Sequence, residues 1–153
     1  MEDSGWRKTM LLGEFEHTVD DKGRITLPSR FREVFKGGIV LTRGMDQCLY
    51  AYTREEWTDL VQSQLASLNP LSPDSRRIQR FFFSGASETE LDKQGRVTLP
   101  PALARHARLK RDVVVAGVND HLEIWDRSTW RAQLKEIEGS AEDVAERLAA
   151  ARH

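Results

Sequence analysis

The sequence predicts an α+β protein, mostly β, made by internal duplication about a pseudo-twofold axis. Three observations carry that prediction. Residues 13–28 (GEFEHTVDDKGRITLP) and 85–100 (GASETELDKQGRVTLP) align at an offset of 72, with eight of 16 positions identical. A unit written only twice is no solenoid and suits two half-domains sharing a core. Around both copies the apolar residues alternate with the period of half-buried strands. Strands this short bury too little within one half, so the two halves are expected to interleave.

The elements follow in chain order. Phe15, His17 and Val19 alternate with Glu14, Glu16 and Thr18, one face in and one out. Asp20, Asp21, Lys22 and Gly23 supply a turn, with Gly23 free to take positive φ. Residues 24–27 resume the alternation with Ile25 and Leu27 inward, which predicts a hairpin with the first strand. Pro28 and Ser29 open a short helix whose Phe31, Val34 and Phe35 share a face, and Gly37 and Gly38 end it. Strands are predicted at 39–42 and 48–52. Thr53 can then cap a helix carrying Trp57, Leu60, Val61, Leu65 and Leu68 as far as Asn69 and Pro70. Ser72 and Pro73 open another helix, through Ile78 toward Phe81, Phe82 and Phe83.

The second half repeats this grammar. Strands are predicted at 88–91, 96–99, 112–117 and 122–126, with a helix at 101–107. Ser128 is the predicted cap of a helix bearing Trp130, Leu134 and Ile137. The Ala- and Glu-rich stretch 140–153 reads as a further helix with Val144 and Leu148 on one side. Trp57 and Trp130 occupy matching positions and read as core. The three consecutive phenylalanines could stack on bases, but core or subunit interface is the stronger reading.

Composition narrows the function. The longest apolar runs are far too short to span a membrane, and the first 30 residues lack a signal-peptide block, so a cytoplasmic protein is expected. One cysteine, Cys48, excludes an internal disulfide and any paired-cysteine zinc site. His17, His106, His121 and His153 form no metal-binding or catalytic spacing, and no phosphate loop or nucleophile motif is present. An enzyme is not expected, nor a metal, a cofactor or a small-molecule substrate.

The 23 basic and 24 acidic residues nearly cancel, but they are not mixed. Residues 22–43 hold six basic residues and one acid, and residues 93–111 hold six and none. From Asp120 onward eight acids meet five basic residues. Separated patches leave local positive fields that attract phosphate whatever the total.

The feature hardest to explain blandly is the twice-written Asp-x-x-x-Arg with Gly before the arginine, Asp20 to Arg24 and Asp92 to Arg96. Two readings stay open for the aspartates. They close the turn structurally, with Gly23 and Gly95 permitting it, or they also serve binding. For the arginines, a planar fork at the exit of a turn can reach phosphate or a guanine edge bidentately. Lys22 is poised at the tip to add a phosphate contact.

On VDDKGRITLPSRFRE (19–33), RRIQRFFFSGASETELDKQGRVTLPPALARHA (76–107) and LEIWDRSTW (122–130), the chain resembles the MraZ family. That family comprises bacterial regulators of the division and cell-wall gene cluster, built from two tandem SpoVT-AbrB-type DNA-binding halves. The resemblance implies a swapped-hairpin β-barrel of AbrB type and a ring-shaped homo-oligomer associated with the nucleoid. It further implies binding to direct repeats of double-stranded promoter DNA, including the protein's own operon. The halves would be 14–56 and 86–129, with connecting helices at 57–85 and C-terminal helices at 130–153. The implied DNA-contacting set is Lys22, Arg24, Arg30, Arg32, Lys93 and Arg96, with Asp20, Gly23, Asp92 and Gly95 shaping the turns. Gln94 stands where the family has a basic residue before Gly, so the first half is expected to contribute more.

Residues 1–13 form an extension ahead of most of that pattern. Its MEDSGWRKT stretch is either a leader or lies upstream of a translation start at Met10. The competing functional class is an oligomeric scaffold of AbrB type, or an interaction protein, without specific DNA binding.

Overall fold

A computed structural model describes residues 10–152; the predicted leader, residues 1–9, lies outside them. The chain runs β1 (Leu11–Thr18), β2 (Arg24–Thr26), α1 (Ser29–Arg32), β3 (Ile39–Arg43), β4 (Leu49–Tyr52) and α2 (Arg54–Leu60). A π-helical turn, Val61–Leu65, continues α2. There follow α3 (Pro73–Gly85), β5 (Ser87–Thr89), β6 (Arg96–Thr98), α4 (Pro101–His106), β7 (Asp112–Asn119), β8 (Leu122–Asp126) and α5 (Arg127–Ala151).

The strands form an antiparallel six-stranded sheet, ordered β1-β7-β8-β4-β3-β5, and a two-stranded ribbon, β2-β6. The order is a palindrome of the duplication. β4 and β8, equivalent strands of the two halves, pair at the centre, with Tyr50 opposite Glu123. Each half lends its first strand to the other half's hairpin: β1 pairs with β7 and β5 with β3. The ribbon joins Ile25 to Val97 across the same axis.

Two sequence expectations change here. The hairpin predicted over residues 14–27 does not form a ladder, because β1 and β2 take partners in the other half. Strand alternation reports which face is buried, not which strand lies alongside. The ladders of the described residues also make an open sheet and a separate ribbon, not a closed barrel. The architecture is α+β, with its core built mainly on sheet.

That core is single and drawn from both halves. Ile25, Leu27, Phe35, Ile39, Leu41 and Leu49 of the first half are almost wholly buried, alongside Val97, Val113, Val115, Leu122 and Ile124 of the second. The short helices α1 and α4 contribute Phe31 and Leu103 to it. Thr53 caps α2 by accepting the Glu56 amide at 3.1 Å, and Ser72 caps α3 by accepting that of Ser75 at 3.3 Å. Buried Thr42 donates to the Phe82 carbonyl at 2.8 Å, and Arg43 donates to that of Phe81 at 2.7 Å. Together they tie the end of α3 to β3. Of the three phenylalanines, Phe82 is buried, Phe81 lies beneath Arg43, and Phe83 meets Trp57 edge-on while remaining 42% exposed.

The last helix departs from expectation at both ends. Its cap is Asp126, not Ser128; the buried Asp126 carboxylate accepts the Ser128 hydroxyl at 2.8 Å and the Lys110 amide at 3.1 Å. The two helices predicted beyond residue 128 are one helix of 25 residues, because Gly139 alone is too weak to interrupt it. Helix α5 also occupies the acids of β1. Glu14 accepts the Trp130 indole at 2.7 Å, and Glu16 pairs with Arg131 at 3.2 Å and Arg127 at 3.5 Å.

The exchange of β1 needs a bare backbone opposite it. A Cβ at Gly117 would lie 2.5 Å from the backbone of Leu11 and Leu12. Gly117→Ala should therefore destabilise the fold by about 1–3 kcal/mol, the usual cost of overpacking. Gly139, with nothing within 4 Å, provides the control. Gly139→Ala should stabilise α5 by about 0.5–1 kcal/mol. Equilibrium denaturation of the two variants checks the opposite signs.

Candidate nucleic-acid interface

The two copies of the motif fold into the same turn. In the first, the Asp20 amide donates to the Arg24 carbonyl at 2.9 Å and the Gly23 amide to the Asp20 carbonyl at 3.0 Å. In the second, the Asp92 and Gly95 amides repeat these bonds at 2.9 and 3.0 Å. Gly23 has φ +74° and Gly95 φ +76°, a region where a side chain is strained. Each turn then leads straight into the ribbon: Leu99 donates to the Gly23 carbonyl at 2.8 Å, and Leu27 to that of Gly95 at 2.9 Å.

Each aspartate binds its own turn with both oxygens. Asp20 Oδ1 accepts the amides of Lys22 and Arg24, both at 2.9 Å, and Oδ2 accepts Arg24 Nε at 2.8 Å. Asp92 does the same with Gln94 and Arg96, with the Arg96 Nε contact at 2.7 Å. Both carboxyls are held below the ordinary aspartate range, chiefly by the amide hydrogen bonds from Arg24 and Arg96. The structural reading of the aspartates is thus present in full, and it positions the arginines. Only Nε is engaged in each. Among the described residues, the Nη groups of Arg24 and Arg96 have no hydrogen-bond partner.

The ribbon fixes how the arginines relate. Arg24 pairs with Thr98 and Thr26 with Arg96, so these four side chains share the outer face while Ile25 and Val97 point into the core. Arg24 and Arg96 stand diagonally across three rungs. Their Cα atoms are on the order of 8 Å apart at ordinary strand rise and spacing. Lys22 and Lys93 are exposed in the turns on either side.

The remaining predicted residues divide. Arg30 is exposed on α1, its guanidinium over the Phe15 ring at 5.7 Å. Arg32, also of the first half, reaches the second turn: its side chain lies against Gly95, and Nε donates to the Leu27 carbonyl at 3.1 Å. The sequence reading assigns Arg32 to the DNA-contacting set and not to the support of the second turn. The close approach spans 63 residues of sequence, and nothing local signals it.

Two further polar groupings escaped the sequence reading. Arg54 pairs with Glu88 across the halves and donates to the Gly37 carbonyl at 2.7 Å, its guanidinium filling the space beside Gly38. His121 bonds Asp120 at 2.8 Å and Glu123 at 3.0 Å beneath the rings of Tyr50 and Tyr52. Burial opposes charge on that ring, but the two carboxylates outweigh it and raise its pKa. Cys48 is fully buried, and burial pushes its thiol up, as befits a packing residue. His17 is half-buried, held low by burial and by nearby Arg32. Among the described residues no cluster of His, Cys, Asp or Glu could hold a metal, and no helix is long and apolar enough to cross a membrane.

Fold and turns together define a tandem-duplicated, strand-exchanging α+β protein that presents two matched Asp–Gly–Arg turns on one ribbon. The MraZ protein family, described as antitoxin-like, matches the chain twice, over residues 10–81 and 82–152. A relative from Acetivibrio thermocellus, the transcriptional regulator MraZ, is 45% identical over 140 residues, covering 92% of this chain and 97% of the relative. The chain belongs to the MraZ family.

The turns should respond to acid. A carboxyl whose folded pKa is depressed contributes order that is complete above its unfolded value and lost as pH falls through the folded one. The Lys22, Arg24, Gln94 and Arg96 amides should therefore lose protection relative to their intrinsic exchange rates below the ordinary aspartate range, while β7 stays protected. Asp20→Asn should cause the same loosening at neutral pH in the first turn alone. Amide-resolved NMR measures both.

Proposed function

We propose that this protein is a DNA-binding transcriptional regulator whose halves, 14–56 and 86–129, present Arg24 and Arg96 together to double-stranded DNA. The observation that carries this reading is the shared outer face of the β2–β6 ribbon, with an aspartate-braced arginine at each end. A two-stranded ribbon fits the major groove, where an arginine fork can pair with guanine O6 and N7. A separation on the order of 8 Å spans between two and three base-pair steps at about 3.4 Å each. Lys22, Lys93 and Arg30 flank the face and suit phosphate contacts, which position without reading sequence. Arg32 contributes chiefly by bracing the second turn. The first half adds Lys22 where the second has Gln94, which supports a larger share of the affinity from the first half.

The name of the Acetivibrio thermocellus relative supports a role in transcription. The exchange of first strands between halves supports reading the fold as a swapped-hairpin arrangement of AbrB type. A few cations per chain give modest binding at physiological salt. A ring of subunits engaging several direct repeats would raise avidity by about 10²–10⁴. On this reading the protein is cytoplasmic and nucleoid-associated, acting on its own promoter within the division and cell-wall cluster.

A gel shift against the upstream region tests the reading. Arg24→Ala and Arg96→Ala should each weaken specific binding by about 1–3 kcal/mol, the worth of one bidentate base contact. Lys22→Ala should instead weaken all sequences alike and flatten the salt dependence by about one unit of slope. Absence of any shift by the wild-type protein at low salt would favour the scaffold reading.

A further inference from the structure

The duplicated halves differ at one pair of equivalent positions in a way that leaves a space and a carbonyl with no donor among the described residues. Each turn diverts its glycine amide, Gly23 or Gly95, to the aspartate carbonyl three residues earlier. The ribbon carbonyl opposite therefore loses its ladder donor. In the second turn that carbonyl is Leu27 O, and Arg32 Nε replaces the missing donor at 3.1 Å while its stem covers Gly95.

In the first turn the corresponding carbonyl is Leu99 O. At the offset of 72, the residue matching Arg32 is Ala104, too short to reach it. Among the described residues no group donates to Leu99 O. The nearest atom to a Cβ built on Gly23 is Leu99 O itself, at 3.8 Å, whereas at Gly95 Arg32 lies at 2.5 Å. The vacated space is a cleft of about 390 Å³ lined by Val19, Gly23, Leu99, Ala104, Lys22 and Lys110, among others. Its walls are mostly apolar, Leu99 is among them, and Lys22 and Lys110 border it.

We propose that this cleft is a small-molecule site for a ligand bearing an N–H donor on a short apolar stem and an anionic group at its other end. Arg32 shows, within the same molecule, what the inner part of the site takes. A hydrocarbon stem crosses the turn glycine and an N–H reaches the ribbon carbonyl. The two lysines supply the complement to an anion, and the second half lacks the equivalent of Lys22, having Gln94 instead. A guanidinium donor held against that carbonyl replaces a solvent hydrogen bond with a charge-assisted one while its stem covers apolar wall. The site stands on the chemistry of the cleft and does not require that the turn bind DNA.

The probe is 4-guanidinobutanoate, titrated into the full-length protein and followed by amide-resolved NMR. Butylguanidinium, without the anion, and hexanoate, without the donor, are the controls. Saturable shifts at Gly23, Leu99, Ala104 and Lys110 are expected, with either control binding about tenfold or more weakly, as the loss of one charge-assisted contact implies. Ala104→Arg, which supplies an internal copy of Arg32, should abolish these shifts and raise the melting temperature. Lys110→Gln should weaken 4-guanidinobutanoate while leaving butylguanidinium unchanged, and this readout stands if Ala104→Arg fails to fold. Absence of saturable shifts, equal binding by all three probes, or shifts that persist in a folded Ala104→Arg variant would overturn the proposal.

Discussion

The structure turns on a three-rung ladder. β2 and β6 are each only three residues long, yet their pairing carries Ile25 and Val97 into the centre of the core. Bonds from Leu27 to Gly95 and from Leu99 to Gly23 extend the ladder at each end, so each turn is anchored by the other half's strand. Each turn closes on its own bonds but takes its place on the ribbon from the other half. The exchange of β1 and β5 makes the same demand on the larger sheet, and the two halves form one cooperative unit rather than two tethered domains.

That dependence accounts for the arrangement of charge. Two turns locked to one ribbon present their arginines on one face at a fixed spacing, which two independent loops would not. Most of the nearby acids are engaged, although Asp21 stays exposed beside Lys22. Asp20 and Asp92 are absorbed into their own turns, and Glu14 and Glu16 bind the indole and guanidinium groups at the start of α5. A chain of near-zero net charge can therefore keep local positive fields. Duplication also left room for divergence: Arg32 braces one turn where Ala104 leaves its counterpart open, and Lys22 stands against Gln94.

What the sequence made legible was local. The Asp-x-x-x-Arg turns, the caps at Thr53 and Ser72, and the burial alternation of β1 all depend on neighbours within a few residues. The duplication further disclosed that one core would be shared. Strand partners were not legible, because the pattern of Phe15, His17 and Val19 is equally satisfied by β2 or by β7. The cap of α5 was misread because β8 runs directly into the helix, placing Asp126 ahead of Ser128. Arg32 on Gly95, Arg54 with Glu88, and His121 beneath Tyr50 and Tyr52 are contacts made by tertiary packing. No spacing rule encodes them.

The central claim is that both turns meet DNA as one unit, and a single titration tests it most directly. Duplex DNA carrying the upstream repeats, added to the full-length protein under amide-resolved NMR, should shift Gly23, Arg24, Gly95 and Arg96 together. The four should share one midpoint that moves with salt, and the far end of α5 should stay unperturbed. Shifts at only one turn, separate midpoints for the two turns, or changes confined to α5 would contradict the account.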